Sequence, residues 1–315
     1  MQDRKTLSKV VLAGGTGTLG LAIAKHLRAQ GFDVVLLTRK LKPRVEFKQV
    51  IWDGRSVEAS WGELLADSIL INLAGELVDR VPTKKNIALL KSSRTEPTAA
   101  LVQAAKQYGK PALWLQSSTL AIYGDSGDAV VTENSPPADG PEQMAGVAKA
   151  WEASVDESCA HRVVWLRTAV VLQPHTPALN RLTNMTKLFL GGTVSGGRQW
   201  VSWIHYEDFL RAIDFLIERE SMSGVVHITS PNPVTNRELM ASLRKILNRP
   251  WTPPTPALLV KVGAWLLFRT DPALALLGRR AIPKRLRDAG FEFRFSQIIA
   301  SLSDLCQEDV RPKQM

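Results

Sequence analysis

Two cysteines in 315 residues, Cys159 and Cys306, leave little room for disulfide or thiolate chemistry. They form no CxxC pair and have no metal-ligand spacing, so they read as free thiols of a reducing compartment, and no metal site is expected. No apolar run reaches bilayer length: the longest, Ala257 to Phe268, is broken by Lys261 and is too short to span. Met1-Gln-Asp-Arg-Lys5 leads into the first apolar run with no signal-peptide pattern, and internal repeats and low-complexity tracts are lacking. These absences give the expectation of a soluble cytoplasmic protein without membrane insertion.

What is present is ordinary in bulk. Apolar residues make up 45% and charged residues 22%, enough for a sizeable core, and the length fits a doubly wound domain with a smaller one appended. The net charge of +10 raises nucleic acid or anionic lipid as partners. The basic residues are scattered, and the densest group (Arg279, Arg280, Lys284, Arg285, Arg287) is interrupted by Ile282, Pro283 and Leu286. That pattern speaks against nucleic acid. A small-molecule substrate is the expected partner, and a homo-oligomer stays open without being indicated.

Apolar runs recur at 8–13, 33–38, 68–73, 112–116, 162–166 and 225–228, with helical patterns between most of them, at 20–29, 85–107 and 143–157. Such alternation predicts an α/β fold, a Rossmann-type doubly wound parallel sheet with helices on both faces. Past residue 168 the rhythm weakens and Pro and Gly become frequent, which predicts loops and short elements over the mouth of the sheet. A short strand and an amphipathic helix at 205–217 return to the sheet, and Asn236 is a plausible cap for a helix over 237–247. The Pro-rich stretch Pro250 to Pro256 precedes a mostly helical tail, 257–304. The division is thus 1–168 as nucleotide-binding domain, with 201–220 returning to it. Residues 169–200 and 221–315 form a mostly helical, substrate-side part. The tail helix 257–268 reads either as a subunit interface or, more simply, as a face buried on the nucleotide domain.

The segment Val10-Val-Leu-Ala-Gly-Gly-Thr-Gly-Thr-Leu-Gly20 carries the most chemistry. A β-branched run ends in Gly14-x-x-Gly17-x-x-Gly20 and becomes helical through Leu21, Ile23, Ala24 and Leu27. Strand, glycine turn and helix N-terminus together hold a dinucleotide pyrophosphate: unpaired N–H groups and the helix dipole face the anion. A second strand over 33–38 then selects the nucleotide. An NAD site would place Asp or Glu about 20 residues past the glycines to bond the ribose 2′-hydroxyl. This chain ends the strand with Thr38, Arg39 and Lys40, and a guanidinium suits a 2′-phosphate, so NADP(H) is the expected cofactor. The alternative is that Arg39 and Lys40 begin a solvated basic loop continued by Lys42 and Arg44.

Further motifs follow in order: Asn72-Leu-Ala-Gly-Glu76, Ser93-Arg94-x-x-x-Thr98, Ser117-Ser118-x-x-x-x-Tyr123-Gly124, Trp151-Glu152 and Gly196-x-Arg-Gln-Trp-x-Ser-Trp-Ile-His205. The series closes with Ser230-Pro-Asn-Pro-Val-Thr-Asn236 and Gly278-Arg-Arg-Ala-Ile-Pro283-x-Arg-Leu-x-x-x-Gly290-Phe. With these the chain resembles an atypical extended short-chain dehydrogenase/reductase. The branch it looks most like is the YfcH-like, sugar-nucleotide-epimerase-like group, over nearly the whole length, including a group-specific segment from about residue 250. The resemblance implies cofactor contacts from the glycine loop (Gly14, Gly15, Thr16, Gly17, Thr18, Leu19, Gly20) and from Thr38, Arg39 and Lys40. It further implies contacts from Leu73, Ala74, Gly75, Glu76, Arg94 and Val170. Arg94 stands where ordinary relatives carry an asparagine of the proton relay; a surface cation on a helix is the other reading.

The usual Tyr-x-x-x-Lys pair, in which lysine lowers the tyrosine pKa for proton transfer, is missing. Aligned on Trp151-Glu152, the tyrosine position is Met144 and the lysine position Ala148. Lys149 lies one residue off, a rotation of about 100° on a helix of roughly 3.6 residues per turn. Ser118 and Thr119, at a strand end, are the candidate catalytic hydroxyls, with hydrogen bonding to backbone as the alternative. The aligned diphosphate-binding arginine of nucleotide-sugar epimerases is Val201, with Arg198 three residues upstream. Tyr123 reads as structural, His205 as a helix-start hydrogen bonder, and at least two of Trp114, Trp200 and Trp203 as core. Two functions stay open: an NADP(H)-dependent oxidoreductase or epimerase-like enzyme on a small carbonyl or hydroxyl substrate, and a non-catalytic NADP(H)-binding regulatory or redox-sensing protein.

Overall fold

Runs of Val, Ile and Leu buried on both sides can pair only in a sheet covered on both faces, and the computed structural model builds that sheet. The structure describes residues 8–308. Seven strands lie in the order Lys48–Ile51, Asp33–Thr38, Lys9–Ala13, Ile69–Asn72, Leu113–Thr119, Val163–Thr168, Gly224–Ile228, all of them parallel. The strand order reverses between Lys9–Ala13 and Ile69–Asn72, and their register pairs Ala13 with Asn72, so the carboxyl ends of both strands emerge at one crevice.

Each face has its own core. Helix Thr18–Ala29 buries Ile23, Ala24 and Leu27, and helix Tyr206–Glu218 buries Phe209, Ala212, Ile213 and Leu216, on one face with Val10, Leu12 and Leu36. On the other face, Leu101, Ala104 and Ala105 of helix Lys84–Tyr108 pack with Trp61, Trp114 and Leu70. A third core, outside the sheet, joins Leu179 of helix Pro177–Lys187, Leu243 of helix Asn236–Ile246 and Leu302 of helix Ile298–Glu308.

Several expectations are corrected in detail. Lys48–Ile51 is a strand that the apolar-run pattern passes over, because only Val50 and Ile51 of it are apolar. Within 201–220 only the helix packs back on the main sheet; the short strand Trp203–His205 pairs with Val170–Leu172 outside it, and Gly224–Ile228 is the strand that rejoins it. The stretch past 168 holds an 11-residue helix, Pro177–Lys187, where loops are expected. Thr235, not Asn236, caps the next helix: its side chain accepts from Glu238 N–H while the Glu238 carboxylate accepts from Thr235 N–H. Asn236 instead accepts from Val194 N–H, 2.8 Å away.

The largest correction concerns 257–268. This segment is helical over Ala257–Gly263 and closes with a π-helical turn, Ala264–Phe268. It does not bury an apolar face on the nucleotide domain: Leu258, Leu259, Val262, Trp265 and Leu266 are all exposed, and the small Ala264 is buried. No helix among the described residues is long and apolar enough to cross a membrane.

Candidate functional site

The glycine loop is packed shut on every side but one. A Cβ on Gly15 would lie 2.7 Å from Leu12 Cβ, and one on Gly20 would lie 2.5 Å from the Gly15 carbonyl oxygen. Gly14 has φ +74° and packs on the Ala74 backbone, so a side chain there is both strained and blocked. Gly17 differs: a Cβ there meets nothing closer than 4.0 Å. It caps helix Thr18–Ala29 without any side-chain acceptor, so the first-turn N–H groups are left for a ligand to satisfy. This is a cradle for an anion at a helix N-terminus, and it fits a dinucleotide pyrophosphate.

Cations gather beside the cradle. Thr38 is buried, its hydroxyl 3.4 Å from that of Thr16, and it donates to Lys40 O. Arg39 and Lys40 are exposed beyond it. Lys42, read from sequence as part of a solvated loop, reaches back to donate to Thr16 O at 2.7 Å. Arg39 donates to Glu76 Oε1 at 3.2 Å and Arg80 to Glu76 Oε2 at 2.9 Å. The hydrogen bond from Arg39 is the main cause holding the Glu76 carboxyl below its ordinary range.

The turn after strand Ile69–Asn72 links cradle and cavity. Asn72 is fully buried, donates to Thr98 and Gln116, and accepts from Ala74 N–H, which fixes Leu73, Ala74 and Gly75. Gly75 faces the Arg94 side chain, which would lie 3.1 Å from a Cβ there. Arg94 is buried, not a surface cation. It donates to Leu90 O and Glu76 O, lies 5.1 Å from the Trp151 ring centroid, and forms no ion pair among the described residues. Burial pushes its pKa down to about 10, so it remains cationic at neutral pH.

Arg94 opens into a cavity of about 270 Å³ at the carboxyl ends of the strands. Thr119, Thr168, Val170, Trp200 and Val201 line it, together with Met144 and Ala148, the positions of the missing tyrosine and lysine. Met144 lies in a π-helical turn, Glu142–Gly146, that precedes helix Val147–Ala153. The expected continuous helix over 143–157 is thus a wider π-helical turn followed by an α-helix that ends at Ala153. Arg279 also lines the cavity, donating to Gly124 O at 2.7 Å and to Met144 Sδ at 3.1 Å. It has no ion-pair partner among the described residues, and burial lowers its pKa. A guanidinium therefore stands beside the position that a phenol occupies in ordinary relatives. From sequence, Arg279 is visible only as one of a basic group; a side chain arriving from a distant segment leaves no local signal.

The two candidate hydroxyls separate. Thr119 lines the cavity, and its oxygen accepts from Ala121 N–H, leaving its proton free to donate. Ser118 is turned away from the cavity. It donates to Glu152, which is gripped by Arg167 through two bonds of 2.8 and 2.7 Å. Arg167 also donates to the Tyr123 hydroxyl at 2.6 Å, and that hydroxyl lies 2.7 Å from His227 Nε2. Trp114 and Trp203 are fully buried, whereas Trp200 reaches the cavity. His205 is buried and caps helix Tyr206–Glu218 through its Nδ1.

His227 makes this buried network acid-sensitive. Its Nδ1 lies 3.0 Å from the Ile282 carbonyl, which can only accept, so Nδ1 carries the proton and Nε2 accepts from Tyr123. Burial, aided by the nearby Arg167 charge, pushes its pKa from 6.5 down to about 4. The unfolded chain thus takes the proton first. This stability is fully present above about 6.5 and is lost as pH falls toward 4, by roughly 3 kcal/mol. Urea unfolding followed from pH 7.5 to 4.5 should show that loss, and His227→Gln should make the acid limb shallower, leaving the share of His205, which burial likewise lowers to about 4.

The comparisons with known proteins agree with this geometry. Residues 10–228 match the NAD-dependent epimerase/dehydratase family, and residues 255–305 match a domain of unknown function, DUF1731. An epimerase family protein of Mycobacterium bovis is 33% identical over 92% of this chain and 94% of its own. YfhF of Bacillus subtilis, another epimerase family protein, is 32% identical over 94% and 97%. The crystal structure of human epimerase family protein SDR39U1 (isoform 2) with NADPH superposes at TM-score 0.83 and 27% identity, over 95% of this chain and 99% of that one.

Proposed function

This chain belongs to the NAD-dependent epimerase/dehydratase family, and we propose that it is an NADP(H)-dependent oxidoreductase or epimerase-like enzyme with an altered acid–base set, acting on a small carbonyl or hydroxyl compound. The observation that carries this reading is the one open face of the glycine loop, over Gly17, joined through Ala74, Gly75 and Arg94 to the cavity. The gathering of Arg39, Lys40 and Lys42 beside that loop supports a 2′-phosphate, and so does the NADPH bound to the human relative. The nicotinamide cofactor would supply or accept hydride.

The chain's own residues supply the rest. Thr119 can donate a hydrogen bond to a substrate oxygen, and Arg279 holds positive charge near the same place. Arg279 is too weak an acid to replace tyrosine as proton donor, so its role is to stabilise negative charge developing on that oxygen. Met144 and Ala148 offer no acid and no ammonium, and this favours a second reading, a cofactor-binding regulator without turnover.

Calorimetric titration with NADPH and NADH, on the natural chain and Arg39→Ala, tests the cofactor. NADPH should bind more tightly, and the variant should lose roughly tenfold in NADPH affinity while keeping that for NADH, since a charge-assisted bond contributes about 1.5–3 kcal/mol. Oxidation of NADPH against a carbonyl panel tests the chemistry. Thr119→Val and Arg279→Met should each lower turnover without weakening NADPH. Tight NADPH binding with no turnover on any carbonyl would hand the protein to the regulator reading.

A further inference from the structure

The helix Ala257–Gly263 and the turn that closes it are built inside out. An ordinary surface helix hides its large apolar side chains and shows polar ones. Here Leu258 is 71% exposed and Trp265 62%, with Leu259, Val262 and Leu266 also exposed. The neighbouring chain extends the patch. Leu188, Phe189 and Leu190, at the end of helix Pro177–Lys187, are exposed, as is Trp251. These pieces are joined: Arg249 lies 4.8 Å from the Phe189 ring centroid, Gly192 packs on the Pro253 carbonyl, and Thr255 N–H donates to Thr193 O. Arg181, midway along the 177–187 helix, lies 5.3 Å from the Phe268 ring centroid at the far end of the turn.

The two segments that carry the patch contribute charge of one sign, although Arg181 is paired with Asp79 from outside them. From Thr168 to Tyr206 there is no Asp or Glu, but Arg181, Lys187 and Arg198 are present. From Leu239 to Thr270 there is again none, with Arg244, Lys245, Arg249, Lys261 and Arg269. Lys245, Lys261 and Arg269 are exposed and form no ion pair among the described residues. A chain whose charged residues are mixed elsewhere excludes carboxylates from the two segments that carry its apolar patch.

We propose that this face is a docking surface for an anionic lipid bilayer, on which the 257–268 helix lies in the interface plane. Exposed Leu and Trp with flanking Lys and Arg, and no acid, are what an interfacial helix needs. The apolar side chains enter the acyl boundary, and the cations reach back to the headgroups. A second copy of the chain fits the patch less well. It would set one predominantly basic face against another, on molecules that each carry +10. The docked face adjoins the cavity, because Leu274, six residues past Phe268, is both exposed and part of the cavity wall. Peripheral attachment of this kind needs no spanning segment.

The test is flotation of the full chain with vesicles of phosphatidylcholine alone and of phosphatidylcholine mixed with phosphatidylglycerol, at low and high salt. The mixed vesicles should bind at least about tenfold more strongly, with salt weakening the binding. Trp265→Glu with Leu266→Glu should cut binding by about tenfold or more, and so should Lys261→Glu with Arg269→Glu. Circular dichroism melts, which exposed positions should leave unmoved, show that the variants fold. Failure of the natural chain to float, or flotation indifferent to both variants, would overturn the proposal. So would a dimer in sedimentation velocity that Trp265→Glu dissolves, since it would give the face to a second copy.

Discussion

Gly17→Val should leave the fold intact and remove NADPH binding. A Cβ there meets no heavy atom closer than the Gly14 carbonyl oxygen at 4.0 Å, and the backbone of Gly17, at φ −77° and ψ 170°, is one that β-branched residues adopt readily. Its melting temperature should therefore stay close to that of the natural chain. The branched side chain would fill the space that a pyrophosphate needs and cover the N–H groups of the first turn. Displacing an anion from such contacts costs roughly 3 kcal/mol or more, about a hundredfold in affinity. Gly20→Val is the contrasting variant. Its Cβ drives into the Gly15 backbone at 2.5 to 2.7 Å, so it should lose stability as well as ligand. Equal calorimetric affinities for the natural chain and Gly17→Val would show that the open face does not hold the cofactor.

Glu152→Ala should be the most destabilising change among the buried polar residues. Glu152 and Arg167 are almost enclosed, with side-chain exposures of 14% and 7%. Removing the carboxylate leaves a buried guanidinium beside Tyr123 and strips Ser118 of its acceptor. An orphaned buried charge costs about 3–5 kcal/mol. The pair should show its coupling in a cycle: Glu152→Ala with Arg167→Met should cost less than Glu152→Ala alone, because the double variant buries no unpaired ion. A double variant worse than the single one would mean that packing around the pair, not its charge, sets the cost. Thr119 follows Ser118 directly, so loss of the network should also loosen the hydroxyl that faces the cavity.

The sheet is legible in the sequence because its strands are buried on both faces. Val10–Ala13, Ile69–Ile71 and Leu113–Leu115 have no polar alternation to confuse them with amphipathic helices. The strand Lys48–Ile51 is not legible, since it lies at the sheet's margin with only two apolar residues. The glycine loop and Arg39 are readable because the chemistry is local, within one strand, turn and helix. Arg279 and Lys42 are not, because each gains its place from a contact made across the fold. The pair Ser118–Thr119 shows the limit within a single strand. Sequence marks both hydroxyls, but the strand's alternation sends one to Glu152 and the other to the cavity. The 257–268 segment misleads for a different reason: apolar composition argues for burial, and burial is a property of what lies opposite.

The seventh strand, Gly224–Ile228, ends the sheet, and its outer rim is closed by side chains. Arg285 donates to Val225 O, and Glu133 accepts from His227 N–H at 3.2 Å while also accepting from Arg285 N–H. Two residues from remote segments thus replace the neighbour that the strand lacks. The segment after 250 is therefore a seal on the nucleotide-binding half as well as an appendage to it. A chain ending at residue 228 would leave that rim open, a template for pairing with other molecules and so for aggregation. The tail's presence lets the sheet stop at seven strands.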